Sequence, residues 1–428
     1  MRVMKDSGIA WIGEIPADWS ITILSALFYE RKCKNRGLVE KNLLSLSYGN
    51  IVRKSIESNE GLLPASFETY NIVESGNIVF RLTDLQNDKR SLRTGLCKER
   101  GIITSAYVTL QIRSDDSPRY MHYLFHTYDL CKVFYGLGDG VRQGMNYEDL
   151  KHLQVLRPDL KTQHRIADYL DRKCSQIDAI IARQQEVIEK LKAYKLSVIT
   201  EAVTKGLNPH APMKDSGFDF IGSIPATWEI CRLRNIGTLQ NGISKGGEFF
   251  GHGFPFVSYS DVYRNFSLPV HIAGLIDSSD EERKKYSVKA GDIFFTRTSE
   301  TIEEVGFSSI CEVTIPNATF AGFLIRVRPY TDNLLSKFAK YYFRSNHHRY
   351  FLVKQMNLVT RASLGQDLLK SMPVLVPPKE EQIRIAVYLD KKCGAIDSSI
   401  KYKQRVIEQL TAYKKSLIYE VVTGKKEV

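Results

Sequence analysis

Gln163–Thr204 reads QHRIADYLDRKCSQIDAIIARQQEVIEKLKAYKLSVITEAVT, and the chain repeats it as Gln382–Thr423, QIRIAVYLDKKCGAIDSSIKYKQRVIEQLTAYKKSLIYEVVT. The copies lie 219 positions apart without a gap, and aligned from Thr162 and Glu381 they share 25 of 43 residues. Neither copy contains proline, and the only internal glycine is Gly394. Apolar residues recur at spacings of three and four: Ile166, Leu170, Ile177, Ile180, Val187, Leu191, Tyr194 and Val198, then Ile385, Leu389, Ile396, Val406, Leu410, Tyr413 and Leu417. This spacing predicts one long helix per copy with a coiled-coil seam, widened by Ile181, Ile188, Ile400 and Ile407. Lys173, Gln184, Lys392 and Lys403 interrupt the seam, as residues that fix register do. At about 1.5 Å per residue each helix is roughly 60 Å long. Such a helix buries its stripe only against a partner, so the two are expected to pack on each other.

A second repeat frames the first. Met4–Ile21, MKDSGIAWIGEIPADWSI, returns as Met213–Ile230, MKDSGFDFIGSIPATWEI, with 12 of 18 positions identical. The order is motif, variable body, helix, twice over. A cyclic layout fits it, with the end of the second helix beside residue 1 and the halves related by a pseudo-twofold axis. Trp19 and Trp228 are equivalent and are read as anchors of the motif on a helix end. Ile15-Pro16 and Ile224-Pro225 read as rigid turns.

The bodies read as mixed α/β. The first, about 22 to 158, offers strands at Asn42–Ser47, Asn77–Leu82 and Tyr107–Ile112 and a helix at Tyr120–Tyr135. The second, about 231 to 377, offers strands at Phe254–Tyr259, Asp292–Thr296 and Leu324–Val327 and a helix at Leu334–Gln355. Only the frame is shared. Gly76–Phe80 echoes Gly291–Phe295, and Arg142, Met145, Leu150, Val155, Pro158 match Arg361, Leu364, Leu369, Val374, Pro377.

The formal charge is +12, which suggests an anionic partner. The two helical repeats carry only +1 and +4 of it, so the larger share lies in the bodies. No apolar run is long enough to span a membrane, and the N-terminus has no apolar signal core. Seven scattered cysteines without C-x-x-C spacing argue against a disulfide framework or zinc site and suit a reducing cytoplasm. Cys174 and Cys393 read as small buried helix residues.

Together DSGIAWIGEIPADW and DSGFDFIGSIPATW, the EEQIRIAVYLD opening and the LKAYKLSVITEAVTKG close resemble the specificity subunit of type I restriction–modification systems. So do NLLSLSYGNIVRK, SGNIVFRLTDLQND and GIITSAYV in the first body, and GFPFVSYSDV and AGDIFFTRT in the second. The resemblance covers nearly the whole chain. It implies two α/β (α+β) target-recognition domains, residues 1–158 and 209–377, separated by an antiparallel coiled-coil pair, residues 159–208 and 378–428. It implies a non-catalytic cytoplasmic subunit that reads a split site in double-stranded DNA. Two modification (methyltransferase) subunits and two restriction (motor-nuclease) subunits would dock on it. Adenosylmethionine, ATP and magnesium would be held by those partners, and the complex would methylate adenine at N6 or cleave unmethylated DNA. The helix length would set the spacer, at most about 18 base pairs.

Rival readings are an enzyme in its own right and a coiled-coil adaptor without DNA function. Phe134-Tyr-Gly-Leu-Gly138 matches an F-x-G-x-G methyltransferase loop, but a helical segment precedes it where a strand is needed, and no Asp/Asn-Pro-Pro-Tyr/Phe box exists. No G-x-x-x-x-G-K-[ST] loop exists either. Pro158-Asp159 with Glu282-Arg283-Lys284 matches a nuclease pattern only formally, and His347-His348 reads as a solvated face. Base readout needs Arg, Asn or Gln at base edges, with Lys or Arg on phosphates. The first body offers Arg81, Gln86, Asn87, Lys89, Arg90 and Arg93, then Arg142, Gln143 and Asn146. The second offers Lys245, Tyr259, Arg264, Arg297, Arg361 and Gln366.

Overall fold

The computed structural model describes residues 2–55, 66–83, 92–136, 144–299, 305–355 and 362–428. The chain divides into two compact units, Met1–Gln184 with Gln404–Val428, and Gln185–Lys403. Each unit therefore holds one body and a segment of each long helix. Among the described residues five helices reach seven residues: α1 (Pro118–Leu130), α2 (Leu160–Lys205), α3 (Ser336–Tyr342), α4 (Asn346–Gln355) and α5 (Lys379–Val422). The reading of Leu334–Gln355 as one helix is corrected, because the chain turns at Phe343–Ser345 between α3 and α4. None of the described helices is long and apolar enough to cross a membrane.

The repeats are α2, 46 residues, and α5, 44 residues. Asp159 starts α2 by accepting the Thr162 N–H at 3.0 Å, an N-cap. Gly206 and Gly424, at φ +75° and +73°, end the two helices in the left-handed conformation, where glycine carries no Cβ penalty. Ile166, Leu170, Cys174 and Ile177 are buried in the first unit, and Ile385, Leu389, Cys393 and Ile396 in the second. Ile180, Tyr194 and Tyr413, expected in the seam, are 46%, 54% and 52% exposed. The buried line steps by four through 166, 170 and 174, then by three to 177. That stutter shifts the heptad phase and turns Ile181 inward instead of Ile180. Lys392 is exposed rather than in the seam. The half-buried lysines with charge partners are repeat equivalents, Lys414 on Asp178 at 2.6 Å in the first unit and Lys195 on Asp397 at 2.7 Å in the second.

Each body centres on a four-stranded antiparallel sheet. In the first unit β1 (Phe28–Glu30), β2 (Ile78–Phe80), β3 (Thr94–Leu96) and β4 (Val108–Ile112) lie in the order β1-β4-β2-β3. In the second, β5 (Gly237–Asn241), β6 (Ile293–Thr296), β7 (Ser308–Ile310) and β8 (Leu324–Pro329) lie in the order β5-β8-β6-β7. The two sheets are built alike. Gly76 and Gly291, at φ +89° and +91°, turn the chain into β2 and β6. Alternate side chains then enter different cores: Ile78 and Phe80 face α1 and the long helices, and Val79 the opposite side. Ile293 and Phe295 are divided from Phe294 in the same way.

The N-terminal motifs are matched hairpins, Met4–Asp6 with Glu14–Pro16 and Met213–Asp215 with Ser223–Pro225. Asp6 and Asp215 each accept the N–H of the glycine two residues on, at 3.0 Å. Trp19 and Trp228 are fully buried as anchors. Trp228 Nε1 donates to Glu381 at 2.9 Å. Among the described residues Trp19 Nε1 has no partner, because the repeat places Thr162 where the second unit has Glu381. Tyr419 donates its hydroxyl to the Trp11 carbonyl at 3.1 Å, so the end of α5 does lie beside the first motif.

Body and long helix are joined by one buried glutamine in each unit. Gln163 accepts the Ser117 N–H at 2.8 Å and donates to the Pro158 carbonyl at 2.9 Å and to Asp116 at 2.5 Å. Its repeat equivalent Gln382 accepts the Leu335 N–H at 2.8 Å and donates to the Asn333 and Pro377 carbonyls at 2.7 and 2.8 Å. Ser117 and Leu335 are the residues at which α1 and α3 begin. A tyrosine one and a half turns along clamps the same joint, Tyr123 on Asp171 and Tyr341 on the equivalent Asp390, both at 2.7 Å. Alanine at Gln163 or Gln382 strands buried polar groups, so each change should lower stability by about 1–3 kcal/mol. Hydrogen exchange should quicken first at the start of α1 in the one variant and of α3 in the other; a uniform change over both units would contradict the local joint.

Candidate nucleic-acid interface

In both units the end of the central strand is crossed by the chain entering the apolar ladder. Met145 donates its N–H to the Leu82 carbonyl at 2.9 Å, and its equivalent Leu364 donates to the Arg297 carbonyl at 2.7 Å. This crossing organises the sequence-predicted contacts. In the first unit the Arg81 N–H meets the Arg93 carbonyl at 2.8 Å, and Asn146 follows Met145. Asn146 is exposed and caps the turn Tyr147–Leu150, accepting the Glu148 N–H at 2.7 Å. Gln86, Asn87, Lys89, Arg90, Arg142 and Gln143 lie outside the described residues. In sequence they fall between the strands and the ladder that meet at this crossing.

In the second unit Thr298–Ser299 pairs with Ala362–Ser363. The half-buried Arg297 therefore lies beside the Leu364 backbone, and two residues on Gln366 donates to the Asn241 side chain at 2.9 Å. Arg361 lies outside the described residues. Tyr259 and Arg264 lie on the short helix Tyr259–Arg264, so the strand expected through Tyr259 stops at Val257. Arg264 is exposed, whereas the Tyr259 ring stacks on Tyr263 at 5.9 Å and its buried hydroxyl has no partner among the described residues.

Two expected contacts are corrected. Arg93 is completely buried. Its guanidinium donates to the Thr83 carbonyl at 2.7 Å and its backbone N–H to Asp129, so it braces the crossing from inside. Lys245 is held by Glu282 and the Asp277 carbonyl at 2.7 and 2.9 Å, against the Phe249 ring. The sequence reading also missed the arginines that stitch the second body. Arg344 donates to the carbonyls of Ser308, Val262, Tyr263 and Asn265 at 2.6 to 3.1 Å. Arg328 forks onto the buried Asp292 at 2.6 and 2.7 Å. Their signal was available only as position, since both lie in or beside apolar runs.

The formal catalytic matches dissolve into structure. Asp159 is a helix cap, and Glu282 pairs with Lys245 and accepts the Ser279 N–H at 2.8 Å. Phe134 and Tyr135 follow a helix rather than a strand. His348 is not on a solvated face. It is buried against Tyr342 and Phe343, and burial drives its pKa down to about 3. Among the described residues no group of three acidic, His or Cys side chains could hold a metal.

Residues 225–411 match the family model described as the type I restriction modification DNA specificity domain. The specificity subunit of the type I restriction enzyme EcoKI from Escherichia coli (strain K12) is 25% identical over 281 residues, covering 62% of this chain and 56% of that one. The MjaVIII specificity subunit from Methanocaldococcus jannaschii is 22% identical over 425 residues, covering 97% and 94%. A solved chain, described under complex assembly and conformational transition of the type I R-M system, superposes with a TM-score of 0.72 at 15% identity over 96% of this chain and 99% of that one. Residues 225–411 thus carry the match to a DNA specificity domain, and the chain is similar to the family of type I restriction enzyme specificity subunits. Subunits of this family recognise DNA and are not catalytic. The EcoKI match spans about half that subunit's length, whereas the MjaVIII match and the fold run almost end to end.

Asp129 supports the first crossing, and burial raises its carboxyl from the ordinary 3.8 to about 6. A folded-state value above the ordinary one means that the protonated form stabilises the fold. That contribution is complete below 3.8 and is lost as pH rises through about 6. Asp129→Asn, which keeps an acceptor for Arg93, should therefore raise the melting temperature at pH 8 and leave it nearly unchanged at pH 4.5. Equal shifts at both pH values would remove burial of the charge as the cause.

Proposed function

We propose that this chain is the DNA-specificity subunit of a type I restriction–modification complex, in which each body reads one half of a split site in double-stranded DNA. The repeated crossing supports this reading. The same backbone hydrogen bond recurs at equivalent positions in the two units, while the surrounding side chains differ: Arg81 and Asn146 in one, Arg297 and Gln366 in the other. A constant frame with different donors suits two half-sites of different sequence. In this reading residues 1–158 and 209–377 are the recognition domains, and α2 and α5 set the spacer. The segments of the two helices paired within each unit give two modification subunits equivalent places to dock, and two restriction subunits join that assembly. Adenosylmethionine, ATP and magnesium belong to those partners, and adenine-N6 methylation or cleavage is theirs to perform.

A single-molecule methylation map of plasmid DNA from cells co-expressing this chain and its modification subunit tests the reading. The expected result is one split motif with a methyladenine on each strand. An unmethylated map, with both proteins present and associated, would favour the adaptor reading. Arg297→Ala, on the same map, should relax or abolish one half-site and leave the other intact; loss of both would overturn the modular assignment. By the cost of one good bidentate base contact, about 1–3 kcal/mol, the affected half-site should lose about five- to 150-fold in binding.

A further inference from the structure

The two units differ at the outer edge of their matching sheets. In the second unit Ile310 lies opposite Ile293 on the outer strand β7. Its outward N–H and C=O are bonded by a separate extended segment: Ile310 donates to the Phe266 carbonyl at 3.0 Å, and Leu268 donates back to the Ile310 carbonyl at 2.8 Å. That segment lays the Phe266 ring against Tyr341, centroids 5.8 Å apart, and under the Lys195 ammonium at 5.1 Å. Both neighbours are frame residues, Tyr341 clamped on Asp390 and Lys195 on Asp397.

The first unit has every part of this arrangement except the inserted segment. Leu96 lies opposite Ile78 on β3, which ends its sheet. Arg93 and Cys97 bond inward to Arg81 and Asn77, so by antiparallel alternation Leu96 directs its N–H and C=O outward. Among the described residues nothing bonds them. Tyr123 is clamped on Asp171, and Lys414 on Asp178, at the positions of Tyr341 and Lys195. No ring lies over Lys414 among the described residues. A cleft of about 990 Å³ occupies the space instead, lined by Leu96, Tyr123, Asp171, Cys174 and Lys414, all within this unit.

We propose that this cleft receives an extended peptide segment of a partner protein, which adds a strand to β3 and places an aromatic side chain between Tyr123 and Lys414. An open edge strand is a template for such pairing, and the ring gains a cation–π contact and an aromatic neighbour. The second unit supplies the template for the occupant: its Asn265–Leu268 makes these contacts from within the chain. The assignment stands independently of DNA recognition.

The probe is a synthetic peptide of the chain's own residues 264–269, RNFSLP, titrated into the full-length protein and followed by hydrogen exchange and fluorescence anisotropy. Saturable binding is expected, with protection of the Leu96 amide. Replacing the peptide's Phe by Ala should weaken it at least about tenfold. Ser175→Trp, on an exposed position lining the cleft, should abolish binding while the melting temperature stays unchanged. Equal binding of the Phe and Ala peptides, or binding unaffected by Ser175→Trp, would overturn the proposal. So would a Leu96 amide already protected in the protein alone, since the edge would then be covered by its own chain.

Discussion

The buried glutamine at the start of each long helix is the constraint on which the rest depends. Gln163 and Gln382 each bind the backbone where a body helix begins and a carbonyl just before their own helix. An amide is the side chain suited to this position. It accepts and donates at once, without the desolvation cost of a charge. Because both of its ends are engaged, the body helix cannot slide along the long helix without stranding polar groups. The tyrosine clamps on Asp171 and Asp390 then fix the rotation. A recognition surface needs a defined angle to its frame, and here that angle is set by buried and half-buried hydrogen bonds, which salt screens far less than exposed charges.

The long helices, the hairpin motifs and the shared strand openings were legible because they repeat. Two copies of one pattern in one chain act as their own alignment, and Gly76–Phe80 and Gly291–Phe295 indeed open matching central strands. The seam was legible only in part. Ile180 and Tyr194 fit a heptad, but the helix is packed against its body as well as its partner helix, and the double demand shifts the phase at Cys174. The individual contacts were least legible. Arg93 and Lys245 look like Arg264 in sequence, yet they are bound inside the fold while Arg264 is exposed. Whether an arginine meets a backbone carbonyl or solvent is decided by residues far away in the chain, such as Asp129 for Arg93.

Net charge is accordingly a weak guide to the surface of this protein. Arg93, Arg326, Arg328 and Arg344 place guanidinium groups on carbonyls and buried carboxylates. For Arg326 and Arg344 burial lowers the pKa to about 10, which still leaves them charged at neutral pH. Those charges count in the total of +12 while most of their donors are already engaged. What remains for an anionic partner is a smaller set at the edge of each body, including Arg264, and its value lies in placement.

The differences between the repeats carry as much information as the identities. Glu381 gives Trp228 its acceptor, and Thr162 leaves Trp19 without one. Phe266 fills the slot beside Tyr341, and the corresponding space beside Tyr123 is a cleft. A frame repeated to the level of single hydrogen bonds has no physical need to diverge at such positions, since the side chain that satisfies one copy would satisfy the other. The buried Trp19 nitrogen forfeits one hydrogen bond, which a fold can absorb. The edge at Leu96 is different in kind, because among the described residues it leaves backbone groups unbonded beside a cleft. That combination draws other chains unless it has an occupant of its own, and the second unit shows the form the occupant takes.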